Sequence, residues 1–407
     1  MTPFGKLLLE ETVAGRLPMG KKERLRGKIL EMVKQEQMTL KAAAVMLRVS
    51  YRQSKRLYAA YLKKGDAALI HGNYGKRSNN RTEESVLTRA VEAYRQRYND
   101  FGPTFAAEKL AEEEGIIISV SVLRRLLIAT GDWKGVRHSK EYRSRRERRE
   151  YFGELVQFDG SHHKWFEDRG PACCLMTMID DATNTRISRF FEQETIEAIM
   201  SVFSYWIRSY GIPEALYCDK KNAFVLTREP TDDELLSGLI EPKSHFGKAC
   251  EKLGVTVITA HSPQAKGRVE RNHGLDQDRL VKELRLAGIS TIAEANRFLE
   301  KNYLPKMNRK FSRPATKQED AHIPLGDVNL KDIMCLEYER VVANNYIIRF
   351  ETRLFQILKT KKPLPRPKDK VLVRIRLDGC ISIMWKETKL LVKELTNTQV
   401  HKIRKAA

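Results

Sequence analysis

Apolar residues recur at helical spacing through the first third of the chain and at strand spacing through much of the rest. Between Met38 and Leu62, Leu40, Ala43, Ala44 and Leu47 fall at i, i+3, i+4 and i+7, which predicts a short helix with Thr39 as its cap. Its small alanines let a second helix cross closely. Arg48 and Val49 make the turn, Ser50 is the next N-cap, and residues 51–62 form the second helix. Leu57, Tyr58 and Tyr61 then face inward, and Arg52, Gln53, Lys55 and Arg56 face outward. This is a helix-turn-helix pattern whose second helix suits a major groove, or else an ordinary helical hairpin with a solvated face.

A polar joint at 72–81 precedes a helix at 82–98 and a further pair. Thr104 opens a helix that Gly115 ends, and Ser119 or Ser121 caps the next, with Val122, Leu126 and Leu127 inside and Arg124 and Arg125 outside. The second unit either reads DNA beside the first or only packs against it. From 134 to 149 eight basic residues, Arg145 and Arg146 among them, outweigh Glu141 and Glu147. Such a run repels itself until it meets phosphates, so it reads as a DNA-tracking linker or a solvated one.

After Tyr151 the pattern becomes α/β. Residues 154–159 read as a strand delivering Asp159 at its end, and 172–179 and 185–191 as two strands joined by the turn 180–184. A helix at 194–210 carries Ile196, Ile199, Phe203, Trp206 and Ile207 on one face until Gly211 and Pro213 break it. A strand at 215–218 ends in Asp219. A helix at 245–252, a strand at 255–259, a polar loop at 262–267 and a helix at 268–286 bearing Glu270 follow. The order predicts a mixed sheet flanked by helices, with acids at strand ends, where such sheets usually place their chemistry.

Composition sharpens this. The chain has 407 residues, 42% hydrophobic and 31% charged, which fits a folded multidomain protein. Its net charge of +22 points to a polyanion, most often nucleic acid. No apolar run approaches the roughly 20 residues that span a bilayer, and the first residues lack a signal-peptide pattern, so a cytoplasmic protein is expected. The six cysteines form no C-x-x-C pair and the nine histidines show no zinc-finger spacing, so free thiols are expected.

Asp159, Asp219 and Glu270 stand out by context. The first two close apolar strands, where an acid gains nothing for packing, and the third lies one turn into a helix after a glycine-containing loop. Brought together, three like charges would repel unless divalent metal neutralised them. Hard oxygen ligands suit Mg²⁺, and two such ions can serve the attacking and leaving oxygens of phosphoryl transfer.

The blocks QFDGS (157–161), WFEDRGP (165–171), MIDDAT (178–183), IPEALYCDKKNAF (212–224) and SPQAKGRVERNHG (262–274) resemble the Asp-Asp-Glu core of bacterial insertion-sequence transposases, shared with retroviral integrases in the RNase H-like superfamily. The likeness is greatest to the ISNCY group and spans about residues 35–395. It implies that Asp159, Asp219 and Glu270 are catalytic and ligate two Mg²⁺ ions, which Mn²⁺ can replace, with Asp159 bridging both. The Asp219–Glu270 interval is longer than in retroviral integrases, because an acidic stretch at 227–244 is inserted; it is a subunit or target contact, or an idle loop. The zinc module of those integrases is absent.

Other polar residues compete for roles. Asp180 and Asp181 fit a hairpin turn, and His162 and His163 either a loop or contact with phosphate or a metal-bound water. His273 lies one turn after Glu270 on the same face. Lys266, Arg268 and Arg271, and with them Lys220 and Lys221, are candidates for the DNA strand near the scissile phosphate.

Beyond residue 305 a Pro- and Lys-rich passage leads to short alternating runs with Asn344-Asn345 and Asp378-Gly379 turns, suggesting a small SH3-like barrel. Lys359, Lys361, Lys362, Arg366, Lys368 and Lys370 crowd one of its loops. The expected fold is multidomain: N-terminal all-α helix-turn-helix units, a central α/β RNase H-like core and a C-terminal small β-barrel. Its segments are helix-turn-helix at 1–78, a second helix-turn-helix or winged-helix-like unit at 79–135, a basic linker at 136–152, the catalytic core at 153–304, a linker at 305–329 and the barrel at 330–398. The expected function is a DNA transposase that binds terminal inverted repeats, cleaves, and transfers a 3′-hydroxyl to target DNA, as a homodimer or higher oligomer on double-stranded DNA. A catalytically dead DNA-binding regulator and a hydrolysis-only nuclease of the same fold are the alternatives.

Overall fold

Side-chain caps start three of the six α-helices described in the first part of the chain. The computed structural model describes residues 19–71, 73–74, 81–135, 147–219, 243–259 and 267–395. It divides into two units, Met1–Lys140 and Glu141–Ala407. The first holds α1 (Lys21–Lys34), α2 (Leu40–Met46), α3 (Tyr51–Lys64), α4 (Glu84–Arg97), α5 (Pro103–Glu113) and α6 (Val120–Ala129). Thr39 Oγ1 accepts from Ala42 N at 3.3 Å, Ser50 Oγ from Gln53 N at 3.2 Å and Ser119 Oγ from Val122 N at 3.4 Å. Each removes one orphan amide of a first turn. Arg48 makes the α2–α3 turn in the left-handed region, at φ 54°. Ser54 is the buried residue of α3, its hydroxyl donating to Leu40 O at 3.4 Å. Tyr61 ties α3 to α1 through a 2.8 Å bond to Glu31 Oε2.

The second unit begins with β1 (Val156–His163), β2 (Cys173–Asp180), β3 (Arg186–Phe191), α7 (Ile196–Tyr210), β4 (Ala215–Cys218), α8 (His245–Lys252), β5 (Thr256–Thr259) and α9 (Gly267–Leu286). The strands form one mixed sheet of order β3-β2-β1-β4-β5. β1 is antiparallel to β2 and parallel to β4, β2 is antiparallel to β3, and β4 is parallel to β5. Helices cover both faces, which is why all eight residues of β2 are buried. Cys174, Met176 and Met178 pack with Val156, Phe158, α7 and α8 on one side. Cys173, Leu175 and Phe190 pack on the other, against Leu280 and Leu284 of α9 and the helices after it.

Those helices are α10 (Ile292–Phe298) and α11 (Leu304–Phe311), joined through a single π turn, Leu299–Tyr303. Pro305 lacks an N–H to continue the α ladder, and the wider turn carries the helix past it. Two asparagines on this helix close the free edge of β3. Asn296 accepts from Phe190 N at 2.7 Å and donates to Phe190 O at 3.0 Å; Asn308 does the same for Arg186 at 3.1 and 2.9 Å. An edge strand's unpaired backbone groups are thus satisfied by side chains.

Residues 305–329, expected as a linker, are mostly exposed but anchored to the core at Met307 and His322. Met307 is buried with α9, and His322 accepts from Trp206 Nε1 at 3.1 Å. The composition there is polar, and these two buried side chains are the points at which it docks. Gly153 makes room for His322: at φ +86°, a Cβ there would meet the imidazole at 2.3 Å.

A short helix, α12 (Leu330–Ile333), leads to β6 (Cys335–Val341), β7 (Ile347–Phe350), β8 (Arg353–Ile357), β9 (Lys370–Arg376), β10 (Ile381–Trp385), β11 (Thr388–Lys389) and β12 (Val392–Glu394). The expected barrel is not closed. The strands form two sheets, β11-β10-β9-β6 and β12-β8-β7, over one shared core. The chain crosses between them at Leu390 and Leu391, so β11 pairs only with β10 and β12 only with β8. Lys359, Lys361, Lys362, Arg366, Lys368 and Lys370 are all exposed on it.

Candidate active site

Asp159 lies in the middle of β1, not at its end as expected, because β1 continues through Gly160 to His163 in antiparallel pairing with β2. What ends beside Asp159 is the parallel neighbour. β1 and β4 pair Val156 with Leu216 and Gln157 with Tyr217, an offset of 60 residues, and the same offset separates Asp159 from Asp219, the residue after β4. Adjacent strands run about 4.8 Å apart, so the register sets the two acids side by side. On the other side Asp159 faces Thr177, and Thr177 in turn bonds Ser188 at 3.0 Å.

Helix α9 lies on the same face of β1, in step with it. Val269 N donates to Gln157 Oε1 at 3.2 Å, His273 Nδ1 stands 4.0 Å from Asp159 Oδ2, and Gln277 Nε2 donates to Ser161 Oγ at 3.1 Å. Four residues of helix rise about 6 Å and two of strand about 6.7 Å, so each helical turn meets the next residue of that strand face. Glu270 follows Val269 in the first turn of α9 and is exposed. A carboxylate there is favoured by the helix dipole.

The start of α9 is held by Asp181, which the sequence suggested was only a turn residue. Its buried carboxylate accepts from Gln157 Nε2 at 2.9 Å, Arg149 N at 2.9 Å and Arg268 Nη1 at 2.5 Å. Arg268, expected at the DNA, is instead committed to this bond with its side chain only 13% exposed. The reason is spacing: Arg268 precedes Val269 and so points back over the β2–β3 turn. Asp180, also a turn residue by expectation, accepts from Gly153 N at 3.0 Å and from Thr183 N at 2.6 Å and Thr183 Oγ1 at 2.8 Å; burial raises its pKa. Deeper along α9, Arg186 bonds Asn272 at 3.0 Å and Asp276 at 2.9 Å, and Tyr303 donates to Asp276 at 2.7 Å.

Positive charge gathers around that turn. Arg148 Nη1 donates to the carbonyls of Asp181 and Ala182, both at 3.2 Å, and Arg313 Nε reaches Ala182 O at 3.5 Å. Burial first, then the charges of Arg313 and Arg271, push the Arg148 guanidinium pKa down. Arg271 and Arg313 are exposed.

Asp159 within β1, Asp219 just after β4 and Glu270 in α9 offer acceptor oxygens, a donor set whose chemistry suits a hard divalent cation. Among the described residues the three do not bring ligand oxygens all within 4.8 Å of one another; one set of that compactness, His162, Cys174 and Glu194, lies elsewhere.

No family model matches the chain. It is 35% identical over 375 residues to y4bF, a predicted transposase of Sinorhizobium fredii, covering 91% of this chain and 80% of that protein. It is 30% identical over 413 residues to the transposase for insertion sequence IS1202 of Streptococcus pneumoniae, covering 92% and 86%. The chain belongs to the insertion-sequence transposases.

Among solved structures it is similar to the HTLV-2 integrase catalytic core in complex with magnesium (20% identity, 36% of this chain and 82% of that one, TM-score 0.27). It is also similar to a simian T-cell lymphotropic virus intasome in complex with PP2A regulatory subunit B56 gamma (13%, 75% and 99%, TM-score 0.32). The transposase is an enzyme, and no described helix is long and apolar enough to cross a membrane.

Of the residues expected to touch DNA, Arg52, Gln53, Lys55 and Arg56 are exposed along α3 of the transposase, and Arg124 and Arg125 along α6. Arg145, Arg146, Lys220, Lys221 and Lys266 lie outside the described residues, as does most of the 227–244 insertion. His163 stacks edge-on against Trp165, 5.3 Å between ring centres. Sequence reasoning missed Gln157 and Gln277. The signal for Gln157 was present: a buried amide two residues before Asp159 must find partners on the same face.

Proposed function

We propose that this transposase binds the terminal inverted repeats of an insertion sequence, cleaves there in a metal-dependent step, and transfers the freed 3′-hydroxyl into target DNA. One observation carries the reading: Asp159 and Asp219 share a register, and the helix bearing Glu270 docks in step on the same strand. Asp159, Asp219 and Glu270 would hold two Mg²⁺ ions, or Mn²⁺ in their place. When bound, the ions supply activation of the attacking oxygen and neutralisation of charge on the leaving one.

The chain's own contribution is positional. Gln157 and Asp181 fix the first turn of α9 and with it the height of Glu270 above β1. His273 packs beside the Asp159 carboxylate. Arg148, Arg271 and Arg313 give the adjoining turn a positive field that attracts a phosphodiester backbone. The exposed basic faces of α3 and α6 supply sequence reading, with Arg145, Arg146 and Lys266 as backbone contacts. Cutting and joining two ends in concert requires at least a dimer on DNA, working in the cytoplasm at the nucleoid.

Incubation of the full chain with a pre-cut element end, a target plasmid and Mg²⁺ tests this. Joined products are expected. Nicks alone would identify a hydrolysis-only nuclease, and binding alone a regulator. If folded Asp159→Asn protein joins DNA as well as wild type, the assignment of the acids is wrong.

A further inference from the structure

The opposite face of β1 carries a second cluster of ligating atoms. The Nε2 or Nδ1 of His162, the Sγ of Cys174 and a carboxylate oxygen of Glu194 all lie within 4.8 Å of one another. They come from three segments. His162 and Cys174 are direct partners in the β1–β2 ladder, and Glu194 sits between β3 and α7. His162 Nε2 is 3.6 Å from Glu194 Oε2. A tetrahedral ion with bonds near 2.1 Å sets its nitrogen and oxygen ligands about 3.4 Å apart, so this pair already has the required span.

The backbone is cut to fit the carboxylate. Gly160, two residues before His162 on the same face, leaves the space that Glu194 occupies: a Cβ there would meet Glu194 Oε2 at 2.9 Å and Met176 Sδ at 2.9 Å. Cys174 is fully buried and the Glu194 side chain is 6% exposed, while the His162 side chain is 59% exposed at the rim. One side of the cluster therefore opens to water.

We propose that His162, Cys174 and Glu194 form a separate site for Zn²⁺ or a similar borderline transition metal, with solvent as the fourth ligand. On binding, the Cys174 thiol loses its proton to solvent, the imidazole coordinates as a neutral donor, and the carboxylate gives one oxygen. Thiolate and carboxylate then balance the two positive charges, leaving a neutral unit at the edge of a low-dielectric core. A thiolate and an imidazole select against Mg²⁺, so this site and the three carboxylates would take different metals. No zinc-finger spacing marks it in the sequence, because strand register, not chain proximity, assembles it. Its effect would be to pin β1 three residues beyond Asp159.

Titration of the full chain with Co²⁺ tests this, since a thiolate ligand produces an intense charge-transfer absorption that carboxylate sites lack. One equivalent of this band is expected, retained in Asp159→Asn. It should be lost in Cys174→Ala, and in His162→Ala the Co²⁺ affinity should fall at least about tenfold. His162 is exposed, so that variant keeps the fold even if the cysteine variant does not. Absence of the band, its persistence in folded Cys174→Ala protein through another thiol such as the exposed Cys380, or unchanged affinity in His162→Ala would each overturn the proposal.

Discussion

Gln157 and Asp181 are joined by a 2.9 Å hydrogen bond beneath the first turn of α9. Gln157 spends its other amide atom on Val269 N, and Asp181 also takes Arg268, so strand, turn and helix meet in one buried set of bonds. Removing one charge of such a set leaves the other stranded. Asp181→Ala should therefore cost about 3 kcal/mol of stability, read from urea unfolding. Arg268→Met, which removes the partner charge, should restore part of that loss in the double variant. An additive pair would show that the contact carries no coupling.

Glu270 is exposed, and its replacement touches no packed atom. Glu270→Gln should leave stability within about 0.5 kcal/mol of wild type, as other exposed positions do. Strand joining in Mg²⁺ should fall at least about a hundredfold if the carboxylate holds metal that neutralises charge in the transition state. Thermal unfolding and the joining assay on the same sample separate the two effects.

The asparagines at the edge of β3 each serve one strand residue with two bonds. Asn308→Ala strands an amide and a carbonyl of Arg186 and should cost about 1–3 kcal/mol. Hydrogen exchange at the Arg186 and Phe190 amides localises the effect: Asn308→Ala should speed the first and Asn296→Ala the second.

Burial raises the phenol pKa of seven described tyrosines, Tyr61, Tyr94, Tyr98, Tyr205, Tyr210, Tyr303 and Tyr338, with Tyr61 pushed up to about 12. The folded state holds these protons longer than the unfolded chain does. Their contribution is thus fully present below the unfolded value of about 10 and is lost as pH rises through the folded values. Urea midpoints should drop from pH 9.5 to pH 11.5, and Tyr61→Phe should lessen the drop. A flat profile would contradict the raised values.

Arg52 and Arg56 project from α3 into solvent. If each meets a phosphate, changing either to Ala should weaken binding to the element end and lower the salt dependence by about one unit of slope. If Arg52 or Gln53 reads a base edge instead, the loss should be confined to the cognate sequence. Binding curves at two salt concentrations, on cognate and scrambled ends, distinguish these.

Local rules carried the sequence reading far. Thr39, Ser50 and Ser119 cap helices because a hydroxyl at that position has one obvious partner, a nearby amide. Asp159 and Asp219 could be named because acids are out of place beside apolar strands. What stayed hidden depends on partners distant in the chain. Asp181 looks like any turn aspartate until Arg268 and Gln157 arrive, and Arg268 looks like a DNA contact until Asp181 claims it. The strap around His322 reads as a linker because its docking partner, Trp206, lies far upstream.

The matched steps of α9 and β1 have a mechanical meaning. Two periodic surfaces whose repeats nearly agree have discrete positions of good fit, separated here by about one helical turn, with poor fit between them. The helix is therefore indexed like a pawl on a toothed rack. Strain arriving at the N-terminal end of α9 would leave Glu270 where it is until large enough to advance the helix by a whole notch, and a small displacement of bound DNA would not blur the height of that acid above the strand.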